Sequence, residues 1–203
     1  MPRRPLLAVL ALCLLGTAAL FVGWWRVDGP GAPAQAARDA RPLPLGEMNF
    51  AMLDQDGRPV GPGSLLGRPA LVFFGFTHCP EVCPTTLYDI SDWLDGLGAD
   101  AAAITPVLIT VDPERDTADV LSDYVGFFHD EIRAWSGSVE ELERAAEGFR
   151  VRYRKVPISG GDYTMDHTAS VFLFDRAGRF VTTVDYHEPR EFALRKIRRA
   201  MGS

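Results

Sequence analysis

The chain has 203 residues, enough for one well-buried domain and an extension, and its composition is that of a globular protein. Its formal net charge of −6 gives no general attraction to phosphate backbones, which excludes nucleic acid as an expected partner. Three cysteines are too few for a disulfide scaffold, and the four histidines lack the clustered spacing of a structural zinc site.

The N-terminal segment predicts export from the cytoplasm. Arg3 and Arg4 precede residues 6–25, which carry no charge and are numerous enough to cross a bilayer at about 1.5 Å per residue. We therefore expect residues 1–27 to form a single-pass anchor in the inner membrane, with the main body in the periplasm or an equivalent extracytoplasmic space. A cleaved signal peptide is the alternative, because the small residues at 32–36 could form a cleavage site.

Residues 28–44 are rich in proline, alanine and glycine and are predicted to form a linker. One domain is expected over 45–203. Hydrophobic periodicity and turn residues predict its elements in chain order. These are a hairpin over 48–60, a strand over 70–76, a helix over 84–97, a strand over 106–111, a helix over 117–128, a strand over 132–135, a helix over 139–149, a hairpin over 171–184 and a helix over 188–201.

This order of elements predicts the fold class. The continuous apolar runs over 70–76 and 106–111 are typical of strands that are buried on both faces of a sheet. Strands that alternate with helices and end in a hairpin and a helix indicate an α/β protein, a thioredoxin-like three-layer sandwich with an N-terminal β-hairpin. Within it, Ser138 is expected to cap the helix over 139–149, with Glu141 completing a capping box.

Cys79 and Cys83 lie where the first buried strand ends and the next helix begins. Ligand sites are common at this position, and a helix N-terminus lowers the pKa of a nearby thiol. Residues four apart on a helix share a face, with Cβ atoms roughly 5–6 Å apart, so two thiolates there can chelate a soft ion or form a disulfide. Thiolates favour copper(I), which accepts two or three ligands where zinc prefers four. Inert core thiols are the alternative.

Three segments closely resemble the motifs of the Sco/SenC family, namely 74–87 (FGFTHCPEVCPTTL), 111–117 (VDPERDT) and 166–170 (DHTAS). The resemblance implies a thioredoxin-like domain that binds one copper ion, as Cu(I) and also as Cu(II), through Cys79, Cys83 and His167. It further implies a metallochaperone for assembly of the binuclear copper (CuA) centre of cytochrome c oxidase. The partner would then be the copper-receiving subunit of the oxidase or its assembly factors.

Position in the chain adds modest support for His167, which immediately precedes the strand predicted over 171–174. In thioredoxin-like proteins the corresponding strand starts beside the cysteine-bearing turn. Asp166 could orient the imidazole ring, as carboxylates often do for ligating histidines, or it could simply be exposed to solvent. The other three histidines are not expected to be ligands, although His78 adjoins Cys79.

Asp112, Glu114 and Asp116 resemble a hard-metal or acid–base cluster. A structural interpretation is favoured, in which Asp116 caps the helix predicted over 117–128 and Pro113 shapes the preceding turn.

Cys79 and Cys83 can also form a redox-active pair that cycles between dithiol and disulfide, as in a specific thiol–disulfide reductase of copper-site cysteines in a partner protein. General disulfide exchange is less favoured, because thioredoxins carry Cys-x-x-Cys and a cis-proline, whose place Ala169 takes here. A peroxidase of the peroxiredoxin type is disfavoured, since Val72 and Phe76 stand where those enzymes have Pro and Thr.

Overall fold

The structure is a computed structural model that describes residues 4–27 and 41–202, with side chains in the first range from residue 11 to residue 26. The first range is a single helix, α1 (Arg4–Val27). Within the described parts of the chain, no helix is both long enough and apolar enough to cross a membrane, so the predicted single-pass anchor is not supported. Most of the predicted linker, and the small residues at 32–36, lie outside the described residues.

A seven-stranded mixed sheet forms the centre of the unit that begins at Pro42. The strands of the chain are β1 (Met52–Asp54), β2 (Pro59–Val60), β3 (Ala70–Gly75), β4 (Thr105–Thr110), β5 (Arg133–Ser136), β6 (Tyr153–Pro157), β7 (Tyr163–His167), β8 (Val171–Phe174) and β9 (Phe180–Val184). The large sheet has the order β2-β1-β5-β4-β3-β8-β9, while β6 and β7 pair only with each other in a separate sheet.

The register of the central strands places two loops side by side. β3 pairs in parallel with β4, and β4 with β5, so their carboxyl ends meet at one edge of the sheet. Gly75 is aligned with Thr110 in the last pair, and the N–H of Val111 donates to the carbonyl of Gly75 at 2.9 Å. All six residues of β3 are buried, as the apolar run predicted. The loops that follow β3 and β4 are therefore neighbours.

Four helices complete this unit, α2 (Val82–Leu97), α3 (Ala118–Gly126), α4 (Val139–Phe149) and α5 (Arg190–Met201). All four were predicted, with ends shifted by up to two residues. α2 packs against α5, which also contacts β8 and β9.

The predicted capping box on α4 is only half formed. Ser138 accepts from the N–H of Glu141 at 3.3 Å, but the Glu141 carboxylate accepts from the N–H of Ala51 at 2.8 Å instead.

Aromatic side chains hold α4 to the sheet. The ring of Phe149 lies 5.2 Å from that of Phe74 on β3 and 5.5 Å from that of Phe174 on β8, measured between centroids. Phe50 and Phe172 complete the cluster at about the same spacing. Edge-to-face contacts at these distances add to the burial of apolar area, so this cluster is a principal part of the core.

The hairpin of β6 and β7 was not predicted, because β6 does not alternate between polar and apolar residues and the alternation in β7 is short. Only Met165 on β7 is fully buried. The turn contains Gly160 and Gly161, both with positive φ (91° and 81°), a conformation that favours glycine. The adjacent pair of glycines was the one signal of this hairpin in the sequence. Its consequence is that His167 lies at the end of a strand rather than on a loop.

Candidate metal centre

The two cysteines are held by the N-terminus of α2. Cys83 is the second residue of α2 and is fully buried, whereas Cys79 lies on the preceding loop and is partly exposed. The spacing suggested two cysteines on one helix face, which is wrong for Cys79. Instead the N–H of Cys83, one of the unpaired donors of the first turn, donates to the Sγ of Cys79 at 3.4 Å. The helix terminus thus brings the sulfurs together.

Gly75 makes room for the buried sulfur. A Cβ atom at this position would lie 3.1 Å from the Sγ of Cys83, 2.8 Å from the Phe73 ring and 3.1 Å from a methyl of Leu108. Carbon and sulfur do not approach this closely without a shift of one of them. The last residue of β3 is therefore a glycine because the sulfur of Cys83 packs directly against the strand.

His167 reaches the cysteines from the other side. Its Nε2 lies 3.4 Å from the Sγ of Cys83, and its ring packs edge-on against Phe73 and Phe76. Its Nδ1 lies 3.0 Å from the carbonyl oxygen of Thr168. Because a carbonyl only accepts, the proton belongs on Nδ1, and the lone pair of Nε2 then faces the sulfurs. This is the tautomer that a metal ligand requires.

Of the two alternatives for Asp166, exposure is the one observed, and its carboxylate does not orient this ring. Its carboxylate pairs with the guanidinium of Arg154 at 2.9 Å, within the same hairpin. The Thr168 carbonyl orients the imidazole instead, and such a backbone contact leaves no side-chain pattern in the sequence by which to find it.

Cys79, Cys83 and His167 form the only group of three potential metal-ligating side chains of this kind among the described residues. Their donor atoms all lie within 4.8 Å of one another. His78 is exposed, with its Nδ1 next to the hydroxyl of Thr77, and stays outside the group as expected. His129 lies elsewhere, where its Nδ1 accepts from the N–H of Glu131. The structure brings together the three residues singled out in the sequence.

Charge is distributed unequally over the two thiols. Hydrogen bonding from Cys83, with smaller contributions from backbone N–H groups, lowers the pKa of Cys79 to about 3 despite partial burial. The hydrogen bond to Cys79, burial and repulsion from the Cys79 charge raise the pKa of Cys83 above its ordinary value. At neutral pH Cys79 is therefore a thiolate while Cys83 keeps its proton.

The acidic residues after β4 have a role that the sequence did not reveal. Asp116 is not the cap of α3, since Thr117 takes that place and accepts from the N–H of Val120. Asp116 is buried instead and accepts hydrogen bonds from the hydroxyl of Thr77 at 2.6 Å and of Thr110 at 2.5 Å. It therefore ties the cysteine-bearing loop to the loop after β4. The only clue in the sequence was its position after the neighbouring parallel strand.

Two sulfurs and one imidazole nitrogen make a soft set of three donors. Such a set favours copper(I), while a structural zinc site usually has four protein ligands and hard cations prefer oxygen. Cys79 and His167 are partly exposed, so the centre opens to solvent on their side. The fold and the site together define a thioredoxin-like protein with a Cys–Cys–His centre suited to a soft metal.

The comparison with protein families gives the same result. The model of the family described as SCO1/SenC matches residues 38–202. The chain therefore belongs to the SCO1/SenC family. One relative, the SCO2-like protein RP587 of Rickettsia prowazekii, is 36% identical over 134 residues, which are 65% of this chain and 65% of that protein. The SCO1 homolog 1 of Arabidopsis thaliana is 35% identical over 65% of this chain but only 40% of its own length. The matches thus span less than two thirds of these relatives.

Solved structures with copper bound resemble this fold. That of Bradyrhizobium japonicum ScoI with copper bound is 43% identical, with a TM-score of 0.70 over 75% of this chain and 97% of that one. Yeast Sco1 with copper bound is 31% identical, with a TM-score of 0.68 over 74% and 84%. The predicted thioredoxin-like fold and the predicted family are confirmed.

Proposed function

We propose that this protein binds one copper ion through Cys79, Cys83 and His167 and helps to assemble the CuA centre of cytochrome c oxidase as a metallochaperone. The observation that carries the proposal is the convergence of three soft donor atoms within 4.8 Å of one another. The copper-bound relatives from Bradyrhizobium japonicum and yeast support copper as the ion. The two thiols favour binding of Cu(I), and the imidazole also allows Cu(II) to bind.

The uneven exposure of the donors suits a protein that passes its metal on. Cys83 is fully buried, whereas Cys79 and His167 are both partly exposed. A groove of about 410 Å³ lies beside the imidazole, and its lining includes Arg152 and Thr168. An incoming ligand from a partner would therefore reach the exposed donors first, while Cys83 holds the ion until the exchange is complete. Three protein donors also leave room for that incoming ligand.

Copper stoichiometry and affinity test the binding site directly. We expect the purified chain to bind one copper, and Cys79→Ser or Cys83→Ser to abolish tight Cu(I) binding in competition with a chromophoric chelator. His167→Ala should weaken binding while leaving the two sulfurs in place. His78→Ala is the matched control and should bind as the wild type does. Unchanged stoichiometry in Cys83→Ser would refute the proposed ligand set.

The role in oxidase assembly needs a measurement in the cell. We expect a deletion strain to lack CuA in its oxidase, and added copper to restore that centre if delivery is the step that was lost. Complementation by His78→Ala but not by Cys83→Ser would connect the centre to the phenotype. A deletion strain with full CuA content would contradict the assembly role.

A second candidate, specific reduction of copper-site cysteines in a partner, is favoured by the unequal pKa values of the two thiols. The Cys79 thiolate would attack a partner disulfide to form a mixed disulfide and release one partner thiolate. Cys83 would then pass its proton to the released partner thiolate and attack the Cys79 sulfur, which breaks the mixed disulfide, expels the second partner thiolate and leaves a Cys79–Cys83 disulfide. Failure of added copper to rescue the deletion strain, together with stoichiometric reduction of the oxidised partner in vitro, would favour this function.

An extracytoplasmic location belongs to the same proposal. It rests on the arginines and apolar residues at the N-terminus. Membrane attachment through residues 1–27 stays a prediction that the described helix does not support. Fractionation of cells into cytoplasm, membrane and periplasm would test both, since recovery in the cytoplasm would contradict export.

A further inference from the structure

The polar contacts between the hairpin that carries His167 and the rest of the domain converge on one loop, beside the apolar packing of Met165 and Tyr153 against the core. Its strands β6 and β7 pair with each other and not with the large sheet. Within the described residues, the side-chain hydrogen bonds and ion pairs between 153–166 and residues outside the hairpin end on Asp112, Glu114 or Arg115. All three belong to the loop between β4 and α3, residues 111–117.

Tyr163 is the centre of this attachment. Its hydroxyl donates to one oxygen of Asp112 at 2.9 Å, and the Nε of Arg115 donates to the other oxygen. The Nη1 of Arg115 also donates to the carbonyl of Tyr163 at 3.1 Å, while its guanidinium lies 3.8 Å from the centre of the Tyr163 ring. Asp112 is only 1% exposed, and charge-assisted hydrogen bonds shielded from water are the strong ones. Lys155 adds an ion pair to Glu114 at 2.6 Å.

The same loop holds the other half of the centre. Asp116, also 1% exposed, accepts from the hydroxyl of Thr77 at 2.6 Å and from its N–H at 3.2 Å. Thr77 begins the loop that carries Cys79, two residues before the sulfur. The hydroxyl of Thr110, at the end of β4, donates to the same carboxylate and accepts from the N–H of Asp112 at 3.0 Å. The carboxylate of Asp116 and the backbone of Asp112 are thereby both anchored to the end of one central strand.

We propose that the loop over 111–117 positions the metal centre by fixing the distance between its cysteine half, Cys79 and Cys83, and its histidine half, His167. Asp116 holds the cysteine half and Asp112 holds the histidine half. This inference rests on the proposed function, since it takes Cys79, Cys83 and His167 as the ligands. The acidic residues of the loop are then positioning residues and not ligands. The physical reason is that His167 lies on a hairpin outside the large sheet, so the sheet alone does not fix the distance between imidazole and sulfur.

The histidine half is tested with Tyr163→Phe, which keeps the stacked ring and removes only the hydroxyl, and with the isosteric Asp112→Asn. In the full chain we expect copper affinity to fall about tenfold and the nitrogen hyperfine coupling of bound Cu(II) to weaken, while the thiolate-to-copper absorption persists. Tyr88→Phe removes the same atom from an exposed tyrosine on α2 and is the matched control. It should retain the wild-type affinity and spectra.

The cysteine half is tested with Thr77→Val, which replaces the hydroxyl by a methyl group of similar size. We expect the thiolate-to-copper absorption to shift while the nitrogen hyperfine coupling remains. Thr77→Ser restores the hydroxyl and should restore the wild-type spectrum, which loss of packing alone would not explain. If Thr77→Val does not fold, Asp116→Asn probes the same contact from the other side.

A measurement without copper separates this inference from the proposed function. In the apo chain, amide hydrogen exchange over 153–167 should become about tenfold faster in Tyr163→Phe than in the wild type, with the large sheet unchanged. Wild-type spectra and wild-type exchange in both Tyr163→Phe and Asp112→Asn would overturn the inference, as would an equal loss of protection throughout the domain. A wild-type chain that binds no copper would instead refute the proposed function, and the exchange experiment would still test the attachment of the hairpin.

Discussion

Substitution of Gly75 by alanine tests whether the buried sulfur depends on the close approach of β3. The added methyl carbon would meet the Phe73 ring at 2.8 Å, and the Sγ of Cys83 and a methyl of Leu108 at 3.1 Å each. Ordinary contacts of this kind lie at 3.4–4 Å, so three core atoms must move by several tenths of an ångström. All three belong to fully buried or nearly buried side chains, which have little space to move into.

Overpacking of this type usually lowers the free energy of unfolding by about 1–3 kcal/mol. For a domain of this size, a loss of about 2 kcal/mol corresponds to a fall in Tm of roughly 4–8 °C. One of the displaced atoms is a proposed ligand, so copper affinity should fall as well, by about tenfold for a loss of roughly 1.4 kcal/mol in binding. A substitution in the core away from the centre would lower Tm without this second effect.

Thermal unfolding of the apo chain and a Cu(I) competition assay measure the two effects separately. Gly126→Ala is the matched control, because a Cβ there meets nothing within 4 Å and lies in the last turn of α3. The control should be neutral or more stable by up to about 1 kcal/mol, since alanine favours the helix over glycine. A Gly75→Ala variant with wild-type Tm and wild-type copper affinity would refute the packing argument.

Two further predictions concern the thiols and the core. Because the pKa of Cys79 is lowered to about 3, this thiolate loses its charge only as the pH falls through that value. Alkylation of Cys79 at pH 5 should therefore be nearly as fast as at pH 8. Cys83, whose pKa is raised, should stay unmodified. A rate that rises about tenfold per pH unit would contradict this assignment of charge. Phe149→Ala should lower the free energy of unfolding in urea by about 3–5 kcal/mol, whereas Phe127→Ala, at a side chain that is 85% exposed, should change it by less than about 0.5 kcal/mol. Equal effects of the two substitutions would contradict the role given to the aromatic cluster.

The parts of the fold that follow from local patterns were predicted from the sequence. The apolar runs of β3 and β4 and the amphipathic stretches of the helices reflect burial on two faces or on one, and burial decides which residues a position accepts. The hairpin of β6 and β7 is mostly exposed or half-buried, so burial constrains its sequence weakly, and only the short strand β7 alternates. Its position follows from contacts with residues about 40–50 positions away, which no local pattern records.

The candidate site was predicted to a different extent for each of its members. The position of Cys79 and Cys83 between a strand and a helix was predicted from the sequence, although Cys79 precedes the helix instead of lying on it. His167 depended on the family resemblance, because the strand β7 that carries it was not recognised. Asp116 was assigned to a helix cap, since a carboxylate just before a helix is usually a cap and its true partner, Thr77, lies on a different loop.

The topology explains why the three motifs, at 74–87, 111–117 and 166–170, lie close together. Parallel pairing of β3 and β4 places the loops after both strands at one edge of the sheet. The first of these loops carries Cys79 and leads into α2, which carries Cys83. The second carries no ligand, yet the hairpin with the imidazole is bonded to it through Asp112 and Arg115, and the cysteine loop through Asp116. Removal of these contacts would leave all three donors in the chain but would no longer fix the distance between them. The acidic motif is therefore expected to support the proposed metal centre, although none of its side chains is a proposed donor.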